Sequence, residues 1–73
     1  MIRIRITDRG YADSLRDFLL RIGAAVERTS DPHVLLATLP GALSAAHERR
    51  ELANYLRTWR QLVPGCAAAL LDD

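Results

Sequence analysis

Ile2, Ile4 and Ile6 alternate with Arg3 and Arg5 at the start of the chain. A period of two built from β-branched residues commits that stretch to a strand with one buried face. The period then changes. From Tyr11 to Ile22, at about 100° per residue, Tyr11, Ala12, Leu15, Phe18, Leu19 and Ile22 share one stripe, while Asp13, Arg16, Asp17 and Arg21 lie elsewhere. Leu20 falls off the stripe, as single exposed leucines commonly do. Thr7 or Asp8 can cap this helix. Asp13 in the first turn and Arg21 in the last suit the helix dipole. Gly23 stands where a left-handed C-cap is expected.

Ala24 to Thr29 reads as a second strand, Ser30-Asp31-Pro32 as a turn, and His33 to Leu39 as a third strand that is apolar on both faces. Two strands across so short a turn form a hairpin, and Pro40-Gly41 ends it. Ser44 can cap a long helix, Ala45 to Leu62, with Ala45, Leu52, Leu56, Trp59 and Val63 on a narrow apolar stripe. His47, Arg50, Glu51, Asn54, Arg57, Thr58 and Gln61 occupy the opposite, wet face. Tyr55 and Leu62 lie on one shoulder beside Glu48, and Arg49 and Arg60 on the other. Pro64-Gly65 stops the helix. The three alanines between Cys66 and Leu71 prefer a helix, but the stretch is too short for a stable one, so a last strand pairing with the first is expected.

Strand, helix, strand, strand, helix, strand is the split βαβ order. It predicts a single α+β domain over residues 1–73: a ferredoxin-like βαββαβ sandwich, a four-stranded antiparallel sheet with two helices on one face. In that layout the isoleucines of the first strand point at the helices, and Arg3 and Arg5 point onto the open face. The third strand adds either Leu35, Ala37 and Leu39, or Val34, Leu36 and Thr38, to that open face. The fourth adds either Cys66, Ala68 and Leu70, or Ala67, Ala69 and Leu71. An apolar face with two arginines near its centre invites a cover.

Size points the same way. A chain of 73 residues with 49% hydrophobic residues can pack a core, but one so short buries only about 60% of its unfolded surface. Cys66 is the only cysteine, so no internal disulfide staples the fold and a reducing compartment fits. The expected partner is a second copy of the chain, through sheet face or edge, or another protein.

The residues speak against most chemistries. The net charge of +1 is small for a nucleic-acid binder, and all ten basic residues are arginine, leaving no lysine amine. The same strand order underlies RNA-binding domains that stack bases on aromatics of their central strands. Here Tyr11, Phe18, Tyr55 and Trp59 all fall on helices. Cys66, opening a strand after Pro-Gly, reads as a small buried core residue. His33 and His47 lack metal-ligand spacing, and Asp72-Asp73 is a solvated terminal pair. Asp8-Arg9-Gly10 has too few glycines for a phosphate loop. No apolar run is long enough to span a membrane and no signal peptide is visible. The expectation is a non-catalytic cytoplasmic protein without a cofactor.

The stretch from Ile4 to Arg28 resembles the first half of an ACT domain. It holds the strand Ile-Arg-Ile, then Thr-Asp-Arg-Gly, then Leu-Arg-Asp-Phe-Leu-Leu-Arg-Ile-Gly-Ala-Ala-Val-Glu. ACT domains are similar in having Asp and Gly between first strand and helix, and Gly-Ala before the second strand. Arg9-Gly10-Tyr11 stands where that family usually has Pro-Gly. The resemblance implies a role for Asp8 and Gly10 in binding a small ligand, such as an amino acid, at a dimer interface. Arg3 or Arg5 could then receive its anionic group.

Overall fold

The alternation of the first strand is also its burial pattern. In the computed structural model, which describes residues 1–71, β1 (Ile2–Ile6) buries Ile2, Ile4 and Ile6 and exposes Arg3 and Arg5. A one-turn 3-10 helix (Arg9–Tyr11) leads into α1 (Ala12–Arg21), followed by β2 (Ala25–Arg28), β3 (Val34–Thr38), α2 (Ala45–Leu62) and β4 (Ala68–Leu70). The four strands form one open antiparallel sheet in the order β2-β3-β1-β4. β1 and β3 are therefore central, and β2 and β4 are edges.

Register settles which side each strand shows to the helices. Ile2 stands opposite Ala37 and Ile4 opposite Leu35 across β1 and β3, while Ile4 meets Leu70 and Ile6 meets Ala68 across β1 and β4. Directly opposed residues of an antiparallel pair share a face. Leu35, Ala37, Ala68 and Leu70 thus join the isoleucines. Leu15 and Leu19 of α1 and Leu52, Leu56 and Trp59 of α2 pack into the same cluster, so both helices cover that side. Ile4, Ile6, Leu15, Leu19 and Leu52 retain 0% of their exposure, and each contributes roughly 1.5–3 kcal/mol through burial. Trp59 is equally enclosed, and its indole N–H donates to the Ser14 hydroxyl at 3.4 Å.

Local chemistry fixes the ends. Ser44 caps α2, its hydroxyl accepting from the His47 amide at 3.1 Å. Gly23 has φ of 93°. That lets its own amide donate to Leu20 and the Ala24 amide to Leu19, closing α1.

Several expectations change in detail. The expected helix start at Tyr11 is a 3-10 turn, and Asp8, not Thr7, is its cap. The Thr7 hydroxyl instead accepts from the Ala67 amide at 3.1 Å. β2 loses Ala24, spent on the helix stop, and Thr29, whose hydroxyl donates within the turn to Asp31 and Val34. His33 belongs to that turn, and Cys66 and Ala67 precede β4. Ala45 lies on the apolar stripe yet is exposed, and His47 and Glu51, placed on the wet face, are half-buried. The Asp72-Asp73 pair lies outside the described residues.

Candidate functional site

The side of the sheet away from the helices is built by the other residue of each pair. Arg3 stands opposite Leu36 and Arg5 opposite Val34, Arg5 also meets Ala69, and Glu27 and Ala25 meet Leu36 and Thr38. The Leu71 amide donates to the Arg3 carbonyl at 2.8 Å, which carries the pattern one residue past β4. Of the alternatives open in the sequence, the set Val34, Leu36 and Thr38 and the set Ala67, Ala69 and Leu71 are the ones on the open face. One row reads Glu27, Leu36, Arg3, Leu71, and the next reads Val34, Arg5, Ala69. Val34 is buried, Leu36 and Leu71 are half-buried, and Arg3, Arg5, Ala67 and Ala69 are exposed. The Thr38 hydroxyl oxygen is buried there without a hydrogen-bond partner among the described residues.

The four residues singled out in the sequence do not converge. Arg3 and Arg5 project from the open face. Gly10 lies beyond the end of β1, in a groove of about 420 Å³ between the start of α1 and the β2–β3 turn. Arg9, Asp13 and Arg28 line the same groove, and the Arg28 guanidinium pairs with the Asp13 carboxylate across it. The Asp8 carboxylate accepts from the Gly10 amide at 2.8 Å. That bond caps the 3-10 turn, so both Asp8 and the Gly10 N–H already have a structural task.

A second groove was not anticipated from the sequence. On the helix side of β4, Arg57 and Arg60 of α2 project over Gly65, Cys66 and Ala67 to form a recess of about 470 Å³. It continues along Ala68, Ala69 and Leu70 as a further recess of about 270 Å³ that shares both arginines. Helical periodicity put Arg57 on the wet face and Arg60 on a shoulder; only the packing of α2 beside β4 brings them to one strand edge.

The remaining reactive side chains are engaged in holding the fold. Cys66 is buried, with its Sγ 3.7 Å from the Thr7 hydroxyl and 3.9 Å from the Asp8 carbonyl. His33 Nδ1 lies 3.2 Å from the Ile6 carbonyl. His47 Nδ1 accepts from the Leu43 amide at 3.1 Å, which pins the loop ahead of α2. Among the described residues no group of three or more His, Cys, Asp or Glu is placed to hold a metal. No helix among them is long and apolar enough to cross a membrane.

The chain matches no family model, no curated protein and no solved structure.

Proposed function

We propose that the chain is a small non-catalytic interaction or regulatory module of the cytoplasm that associates with copies of itself through its open sheet face or a sheet edge. The observation that carries this reading is the one-sided sheet. Two helices cover one face, and the other presents Arg3 and Arg5 among Val34, Leu36, Ala67, Ala69 and Leu71. The element order and the β2-β3-β1-β4 arrangement support a ferredoxin-like βαββαβ domain, a layout whose second sheet face is available for contacts. The roles of Cys66, His33, His47 and Asp8 in backbone and hydroxyl contacts favour a structural use of those side chains over a catalytic one. Light scattering at high micromolar concentration tests the reading. A mass of two or more chains is the expected result, and a mass of one chain overturns it.

A second reading, an ACT-like domain sensing an amino acid or small anion, is favoured by the groove beside Gly10 with Arg9 and Arg28 on its walls. Mass action then raises the unfolding temperature as ligand is added. Thermal melts with the proteinogenic amino acids and with inorganic phosphate test it, and melts unchanged by all of them discard it.

A further inference from the structure

We propose a binding site for a small phosphate monoester in the recess between α2 and the turn that leads into β4. Arg57 and Arg60 hold the phosphate, and the organic group of the ester lies along β4. The site requires neither a second copy of the chain nor the groove beside Gly10.

Donors converge on this recess of about 470 Å³. Arg57 and Arg60 are exposed and three positions apart on α2, which puts them on one side of the helix and about 4.5 Å apart along its axis. Gln61 lines the recess beside them. Opposite stands the Pro64-Gly65 turn, closed by the Cys66 amide donating to the Val63 carbonyl at 3.4 Å. Among the described residues no bond engages the Gly65 amide, and none engages the Arg57 or Arg60 guanidinium. The Tyr11 hydroxyl borders the same turn, since a Cβ added at Gly65 would stand 3.1 Å from it.

Charge along α2 is sorted in favour of an anion here. All four of its arginines, Arg49, Arg50, Arg57 and Arg60, fall within about 100° of helical arc. Glu48 and Glu51 lie outside that arc, Glu48 on the Leu39 amide and Glu51 beside His47. Asp8, whose carbonyl is 3.9 Å from the Cys66 Sγ, turns its carboxylate to the Gly10 amide. Among the described residues no carboxylate lines the recess. The groove beside Gly10 differs, because Asp13 and Asp31 line it and Asp13 already pairs with Arg28. Guanidinium forks match the oxygens of a phosphate. Two neighbouring cations suit a charge of about −1.5 to −2, which a phosphate monoester carries at pH 7, better than the single charge of a carboxylate. The adjoining recess of about 270 Å³ runs along Ala53, Leu56, Ala68 and Leu70 and is apolar apart from the same two arginines. That extension suits an organic group on the phosphate rather than a bare ion.

Nuclear magnetic resonance titration of the isotope-labelled chain, at constant ionic strength so that screening is fixed, compares phenyl phosphate, inorganic phosphate and acetate. Phenyl phosphate is expected to give saturable shifts at the Gly65 amide and at the Arg57 and Arg60 Nε–H groups. Inorganic phosphate is expected to bind several-fold more weakly at the same place, and acetate to give no saturable shift. In Arg57→Gln/Arg60→Gln the dissociation constant for phenyl phosphate is expected to rise about tenfold or more, with circular dichroism unchanged because both side chains are exposed. In Arg9→Gln/Arg28→Gln it is expected to match the wild type. The absence of any saturable shift with phenyl phosphate overturns the proposal. Binding that survives Arg57→Gln/Arg60→Gln and is lost in Arg9→Gln/Arg28→Gln also overturns it, and moves the anion to the groove beside Gly10. Shifts of equal size with acetate overturn it too, since they report diffuse charge and not a phosphate site.

Discussion

The Glu48 carboxylate accepts a hydrogen bond from the Leu39 amide at 3.0 Å, tying the exit of β3 to the first turn of α2. Glu48 also lies where a negative charge suits the helix N-terminus. Glu48→Ala should therefore lower stability by about 1–2 kcal/mol, which for a domain of this size moves the unfolding midpoint by roughly 4–8 °C per kcal/mol. Glu48→Gln keeps an acceptor and should lose less. Thermal melts followed by circular dichroism compare the two.

Adjacent positions of β1 should respond in opposite ways. Ile4 is fully buried and Arg5 exposed on the far face. Ile4→Glu puts an unpaired carboxylate into the core and should leave the chain unfolded. Arg5→Glu should keep the far-UV spectrum and lie within about 0.5 kcal/mol of the wild type. An unfolded Arg5→Glu variant would show that the strand does not present its arginines to solvent.

Leu56 and Leu62 make the same comparison on α2. Leu56 is 3% exposed and Leu62 68%. Leu56→Ala should cost about 2–5 kcal/mol, enough to unfold a domain with so small a core, whereas Leu62→Ala should change little. Urea midpoints measure both.

The Thr38 hydroxyl, buried without a partner among the described residues, gives an expected gain. Thr38→Val keeps the shape and removes the uncompensated oxygen, so stability should rise by about 1 kcal/mol. A drop of that size on chemical denaturation would mean that the hydroxyl is bonded after all.

Gly23 holds φ of +93° in open space, with nothing within 4 Å of an added Cβ. Its substitution isolates backbone strain from packing. Gly23→Ala should cost about 1–2 kcal/mol. Gly41→Ala, also in open space but without a positive φ, should be neutral or gain about 0.4–1 kcal/mol. Melting both variants side by side checks the difference.

Legibility followed the signals that local residues carry alone. The Ile-Arg alternation orients β1 because each position declares its own face. α2 runs over Ala45–Leu62 as read, since Ser44 and Pro64-Gly65 mark its ends chemically. β3 and β4 were ambiguous because Val-Leu-Leu-Ala-Thr and Ala-Ala-Leu are too uniformly apolar or small to distinguish their sides. Their orientation comes from pairing, Leu35 and Leu70 both standing opposite Ile4. Helical angle placed Ala45 on the apolar stripe but says nothing about whether a neighbour exists at that height. The candidate site was least legible. Which amide Asp8 caps, that His47 and Glu48 hold loop backbone, and that Arg57 and Arg60 meet a strand edge all depend on contacts between distant segments, which periodicity does not encode.

The unlike margins of the sheet bear on how far assembly can proceed. With Glu27 and Arg28 on β2 and Ala-Ala-Leu on β4, charge guards one margin against strand pairing and not the other. A self-complementary contact at the unguarded margin would occupy it in both copies and leave only the charged margins outward. Strand addition would then stop at a closed pair, with no bare backbone left to template a filament.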